Sequence, residues 1–231
     1  VTQVLRSKNG TWTGGRIDAG NSVGEDGIHL LGNCSDITFT NMVVESADDA
    51  FSATAETTAG AGGTGQGDST IERIVVSNSI LTVNGFSGIK ILTNSSTGVA
   101  FIQDMLFSNC TVRNKSGVTG QACLITNGGY AQGTRIRRIR FSNCQFDVGT
   151  STLATHQIGV TACESIVFDA CTMLGSADSF IRFESTYKCG VSNCDFIQTY
   201  AETQSAALTV SAINWSSGNS VVYTFSGAPD L

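Results

Sequence analysis

Residues 102–112 read IQDMLFSNCTV and residues 136–146 read IRRIRFSNCQF. Laid over each other, the two agree in every feature that packing depends on. Four further segments join them: CSDITFTNMVV (34–44), IERIVVSNSIL (71–81), CESIVFDACTM (163–173) and the shortened KCGVSNCDF (188–196). One position holds Asn41, Asn78, Asn109, Asn143, Ala170 and Asn193, at spacings of 37, 31, 34, 27 and 23 residues. Constant segments with variable lengths between them indicate a solenoid, and strand-only repeats of this size indicate a β-helix.

The columns carry the argument. Cys34, Ile71, Ile102, Ile136 and Cys163 form one. Three residues on stand Ile37, Ile74, Met105, Ile139 and Ile166, and then Phe39, Val76, Phe107, Phe141, Phe168 and Val191. After the Asn come Met42, Ser79, Cys110, Cys144, Cys171 and Cys194, then Val44, Leu81, Val112, Phe146, Met173 and Phe196. Like stacks on like, as rungs about 4.8 Å apart require. The Asn column suits a tight turn, because Asn tolerates the left-handed region and bonds its neighbours. A second strand type precedes each run, at Gly27–Leu30, Ala50–Ala53, Gly88–Ile91, Ala122–Ile125, Gln157–Val160, Phe180–Phe183 and Ala206–Val210. The expected fold is all-β: a single-stranded right-handed parallel β-helix of about seven coils with three short strands each. The hand follows the crossover preference of parallel strands.

Composition agrees. Hydrophobic residues make up 41%, charged residues only 14%, and there are 26 Gly and a single Pro, Pro229. Leu, Lys, Glu and Arg are scarce, and no window sustains a helical period. The net charge of −6 argues against nucleic-acid binding, which needs a basic face. No apolar run approaches the roughly 20 residues of a membrane span. Residues 1–231 read as one β-helix domain, expected to be a piece of a longer chain. Residues 212–231 break the repeat, as a cap or the start of another element, with one strand at 220–225. The Gly-rich stretch 56–69 is a loop that either walls a groove or is solvated.

Four of the eight cysteines share one interior column. Free Cys packs as a small hydrophobe, so stacked thiols are expected rather than disulfides. With no CxxC and two histidines, no zinc site is expected. Arg135–Arg140 resembles a basic patch. In register, however, Asp36, Arg73, Asp104 and Arg138 alternate in sign, and Arg137 stands one rung from Glu164, which predicts an exposed salt ladder. His156 and the scattered Asn-X-Ser/Thr triplets are ordinary surface features.

Two segments carry candidate chemistry. Glu25-Asp26-Gly27-Ile28-His29-Leu30 and Asp48-Asp49-Ala50-Phe51-Ser52-Ala53 share the pattern acid, acid, small, apolar, any, apolar. In register, Asp26 lies under Asp49, Glu25 under Asp48, and Ser87 comes next above Asp49. His29, Ser52 and Lys90 form an outward strip beside them. Like charges one rung apart repel, so four stacked carboxylates suggest use. One with a raised pKa donates a proton while its neighbour activates water, as in glycoside hydrolysis. The alternatives are a calcium site or carboxylates splayed into solvent at a turn.

At these residues the chain resembles the polygalacturonase-type glycoside hydrolases of the pectate-lyase-like β-helix superfamily. That family carries Asn-Thr-Asp-Gly on one rung and Gly-Asp-Asp on the next, matched here by Gly24-Glu25-Asp26-Gly27 and Ala47-Asp48-Asp49-Ala50. The resemblance implies Asp48 as general acid, with Asp26 and Asp49 holding the attacking water. It implies inversion, with acid and base roughly 6.5–9.5 Å apart. The family's Gly-His-Gly is replaced by Phe86-Ser87-Gly88 and its Arg-Ile-Lys by Leu124-Ile125-Thr126. Lys90, one rung early, is a partial substitute. The chain is also similar to the β-helical shafts of bacteriophage tailspikes and capsule depolymerases. That implies a homotrimer, exposure outside the cell or on a virion tail, and folding in a cytoplasm that keeps stacked thiols reduced.

The expected function is hydrolysis of a polysaccharide substrate by Asp26, Asp48 and Asp49, with Glu25, His29, Ser52, Ser87 and Lys90 contacting it. No cofactor, metal, nucleic-acid or membrane partner is expected. The alternative from another class is a non-catalytic shaft or glycan-binding module of a virion or cell surface. A lyase would need calcium and a basic residue, for which Lys90 is the candidate.

Overall fold

The computed structural model describes residues 2–20, 24–56, 69–94, 98–115, 120–128, 133–148, 157–175 and 179–198, with backbone strands at 206–211 and 220–221. It is a parallel β-helix. The first coil holds β1 (Thr2–Leu5), β2 (Lys8–Thr13) and β3 (Arg16–Ala19), and the second β4 (Ile28–Leu31), β5 (Cys34–Thr40) and β6 (Val43–Ser46). The third holds β7 (Phe51–Glu56), β8 (Ser69–Ser77) and β9 (Ile80–Val83), and the fourth β10 (Ile89–Asn94), β11 (Ala100–Ser108) and β12 (Thr111–Asn114). The fifth holds β13 (Cys123–Asn127), β14 (Arg135–Ser142) and β15 (Gln145–Asp147), and the sixth β16 (Ile158–Thr161), β17 (Glu164–Asp169) and β18 (Thr172–Gly175). The seventh holds β19 (Ser179–Glu184), β20 (Gly190–Ser192) and β21 (Asp195–Gln198). Finally, β22 (Ala206–Ser211) and β23 (Ser220–Val221) begin an eighth. Every third strand joins the same sheet, giving parallel sheets of eight, eight and seven strands.

The registers match the sequence columns. Ile37 pairs with Ile74, Ile74 with Met105, Met105 with Ile139 and Ile139 with Ile166. Thr2–Ala19 adds a coil beneath the first recognised repeat. It escaped the alignment because Gly10 and Gly14 stand where the others have an apolar residue and an Asn. Of the expected strand at 220–225, Ser220–Val221 is present and pairs with β20. The remainder, the loop 57–68 and His156 lie outside the described residues.

Three columns of left-handed residues shape the coil. Asn41, Asn78, Asn109, Asn143, Ala170 and Asn193 all have φ between 50° and 58°, as the Asn ladder predicts. Side-chain amides join its rungs: Asn109 Nδ2 donates to Asn78 Oδ1 at 3.2 Å, and Asn143 Nδ2 to Asn109 Oδ1 at 3.0 Å. The second column, Asn9, Asp36, Arg73, Asp104, Arg138, Ser165 and Lys188, lies inside one sheet with φ between 52° and 59°. Each of these bends its strand. The bend explains why inward residues such as Cys34 and Ile37 stand three apart instead of two. The third comprises Arg6, Gly32, Ala162 and Ser185, where the corner is short and carries no inserted loop.

The salt ladder forms in pairs. Arg73 donates to both oxygens of Asp36, at 2.6 and 2.9 Å, and Arg138 to both of Asp104, at 2.6 and 2.8 Å. The Arg73 guanidinium lowers Asp36 to about 2. Arg137 pairs in register with Glu164, but its guanidinium donates to Gln103 Oε1 at 2.9 Å.

Inside, aromatic rings stack along the axis. Phe107, Phe141 and Phe168 lie 4.8 and 4.7 Å apart, their planes nearly parallel, and Trp12 stacks on Phe39 at 5.0 Å. Val76 interrupts the column between Phe39 and Phe107. Phe51, from the neighbouring sheet, fills that gap, edge-on to both at 6.2 and 5.4 Å. All eight cysteines are buried and free.

Candidate functional site

The two acidic segments precede β4 and β7 at one corner of the helix. Ile28 pairs with Phe51, and Phe51 with Ile89. The corner therefore stacks Asp26, Asp49 and Ser87 in one column, and Glu25, Asp48 and Phe86 in the next. Backbone bonds Gly27 N to Asp49 O (2.8 Å) and Ala50 N to Ser87 O (3.1 Å) hold the three rungs together.

Three of the four carboxylates converge: one oxygen each of Asp26, Asp48 and Asp49 lies within 4.8 Å of the others. These nearest-oxygen distances are shorter than the roughly 6.5–9.5 Å of an inverting acid–base pair, and close to the about 5–5.5 Å of a retaining pair. Glu25 does not join them. Its carboxylate lies against the backbone of Gly20, where a Cβ would fall 1.4 Å from Glu25 Oε2.

Each converging acid has its own partner. His29 Nδ1 lies 2.8 Å from Asp26 Oδ2, and its Nε2 lies 3.3 Å from Thr54 Oγ1. Donation from Nδ1 to the carboxylate leaves Nε2 to accept from the Thr54 hydroxyl. Asp48 Oδ2 accepts from Gly24 N at 2.7 Å. Asp49 accepts from Ser87 N at 3.0 Å and from Lys90 Nζ at 2.9 Å, while its own N–H donates to Asp26 Oδ1 at 3.3 Å. The stacked charges are thus screened by His29 and Lys90, each three residues beyond the acid column and on its outward strip.

Burial separates their capacities. Asp49 is 1% exposed, Asp26 is at the margin of burial and Asp48 is half-buried. Burial pushes the Asp49 carboxyl up to about 6, opposed by Lys90 and reinforced by the charges of Asp26 and Asp48. Burial would lower Lys90, but Asp49, Asp48 and Asp26 outweigh it and hold its ammonium above the usual lysine range. Lys90 is consequently a fixed cation beside Asp49. The three acids have the oxygen donors a hard cation takes, yet the lysine and histidine beside them already satisfy two of the three.

The expected strip of His29, Ser52 and Lys90 is in register. Ser52 lies at its floor, 2% exposed, with Oγ 3.4 Å from Thr54 Oγ1. Ser87 is also buried and serves the site through its N–H. Reasoning from sequence missed Thr54, the Gly24 N–H and Phe86. Phe86 was legible in principle, since the register that puts Ser87 over Asp49 puts Phe86 over Asp48.

No protein-family model and no curated protein matches the chain. Among solved structures, the chain is similar to the crystal structure of PfbA, a surface adhesin of Streptococcus pneumoniae, at a TM-score of 0.34 and 10% identity. The match covers 84% of this chain and 72% of that one.

Proposed function

We propose that the chain is a carbohydrate-active β-helix that hydrolyses a polysaccharide laid across the corner before β4, β7 and β10. The observation that carries this reading is the convergence of three carboxylates with three different partners and degrees of burial. Such an arrangement separates acid and base roles among chemically identical groups. Asp48, half-buried, reaches the glycosidic oxygen and protonates it as the bond breaks. Asp26, oriented by His29, faces the anomeric carbon. Asp49 is too deeply buried to touch substrate and acts as a positioning residue, fixing Asp26 through its N–H. The short spacing favours a retaining over an inverting course.

A second reading draws on the same burial. Because each acid is satisfied within the fold, the cluster could serve only to latch rungs of a glycan-binding or structural shaft. Reducing-sugar release from a panel of polysaccharides separates the two. Asp48→Asn and Asp26→Asn should each lower the rate by about 10²-fold or more, with unchanged circular dichroism, and proton NMR of the first-formed anomer reads the stereochemical course. Full activity in both variants, or none in the wild type on any substrate, would sink the hydrolase.

A further inference from the structure

Phe86 is the exposed aromatic of this corner. Nearly half of its surface, 49%, is open to solvent, and it stands one rung above Asp48, whose carbonyl accepts its N–H at 3.3 Å. A phenyl ring held out in water contributes nothing to the core. Its backbone is nonetheless tightly held. A Cβ on Gly85 would lie 1.9 Å from Ala47 O, and one on Gly120 would lie 1.6 Å from Phe86 O. Only glycine permits these approaches, so Phe86 is clamped between rungs. Gly120, next in its column, puts no side chain over the ring.

The charges around it are already committed. Lys90 is tied to Asp49 and His29 to Asp26. Above Lys90 the strip continues with Leu124 and Gly159. Its next cation, Arg182, is three rungs up and paired with Glu184 at 2.9 Å. Four acids crowd the corner against one lysine and one histidine. A sugar carboxylate here would meet net negative charge and no free cation among the described residues of the strip.

We infer that Phe86 is the platform on which one sugar ring of a neutral polysaccharide stacks, and that the site selects neutral pyranosides against uronates. The apolar C–H face of a pyranose packs on an aromatic face, while its hydroxyls reach the carboxylates beside it. This rests on the proposed carbohydrate site but not on its being catalytic.

Calorimetric titration with neutral hexasaccharides (cellohexaose, maltohexaose, xylohexaose) and with hexagalacturonate tests it on the wild type, Phe86→Ala and Phe86→Trp. At least one neutral sugar should bind more tightly than the uronate. Phe86→Ala should weaken it about tenfold, while Phe86→Trp retains it. Phe86-dependent binding without any sugar release would leave this inference standing and remove hydrolysis alone. Sugar release with unchanged affinity in Phe86→Ala would remove this inference alone. Tighter binding of the uronate, or no binding of any of these sugars, overturns it.

Discussion

Lys90 Nζ lies 2.9 Å from Asp49 Oδ2, across the gap between two neighbouring rungs. Asp49 is almost wholly buried and Lys90 only partly so, which makes the pair asymmetric: the lysine keeps some hydration and the carboxylate has little. Burial raises the Asp49 carboxyl to about 6, and Lys90 is what keeps it from rising further.

Removal of that ammonium should therefore move the titration upward. In the wild type, carbon-13 NMR of the Asp49 carboxyl should give a midpoint near 6. In Lys90→Met the midpoint should rise, because a buried acid loses its counter-ion while Asp26 and Asp48 stay close. A midpoint that stays put or falls in the variant would refute the pairing as the dominant local interaction.

The same group sets a stability window. Its folded pKa, about 6, exceeds the ordinary 3.8, so the protonated form favours folding. That contribution is fully present below the unfolded value and is lost as pH rises through 6. The shift corresponds to about 3 kcal/mol at most. Asp49→Asn stays neutral and keeps an acceptor for the Ser87 N–H. Urea unfolding should show the variant gaining on the wild type by up to that amount between pH 4 and pH 7.5. The exposed acids held low by arginines, Asp36 and Asp104, are common to both proteins and cancel. A difference independent of pH would count against a buried, titrating Asp49.

The fold was legible because the chain repeats itself. A residue such as Ile74 is specified by Ile37 below it and Met105 above it, so register could be read without coordinates. The site was half legible for the same reason. The columns placed Asp26 under Asp49, but a column does not say where a long side chain turns. Glu25 folds back on Gly20, Lys90 reaches diagonally to Asp49, and His29 reaches back along its own strand to Asp26. Those are rotamer and burial outcomes. The bend at Asp36, Arg73, Asp104 and Arg138 was hidden too, since Asp shares the left-handed tolerance of Asn but Arg does not, and a column that mixes the two carries no uniform signal. Their alternating charges revealed the pairing, and the three-residue interval between inward columns was its backbone trace.

That ladder offers a backbone test. Asn109 has φ 52° and exchanges amide bonds with Asn78 and Asn143 at an exposed corner. Valine there should cost about 1–2 kcal/mol, because a β-branched side chain resists the left-handed region. Glycine should cost about 0.5 kcal/mol or less, its conformational ease offsetting two exposed hydrogen bonds. Denaturant midpoints measure both. Equal destabilisation by the two would mean that the amide bonds, and not the dihedral, hold the corner.

The cysteine column makes the last prediction. Cys110, Cys144, Cys171 and Cys194 each donate to the carbonyl of the Phe-column residue one rung below: Val76, Phe107, Phe141 and Phe168, at 3.5, 3.5, 3.6 and 3.5 Å. Their thiols are thus satisfied along the helix axis as well as buried. Cys123 is wholly buried, and burial alone pushes its thiol far above the usual range. Thiolate is the reactive form, so at Cys123 burial and scarcity of thiolate act together, and in the column burial alone denies access to the reagent. Dithionitrobenzoate should modify essentially none of the eight thiols in the native protein and all eight in guanidinium without reductant. Native labelling should then proceed only as fast as the chain opens, and should slow under stabilising salts such as sulfate. Cys144→Ser should be well tolerated, because Ser79 already occupies that column one coil below Cys110 and accepts from Met42 N at 3.1 Å. Fewer than eight thiols in denaturant would mean that rungs are cross-linked, and rapid labelling of the native state would mean that the column is not the sealed interior described above.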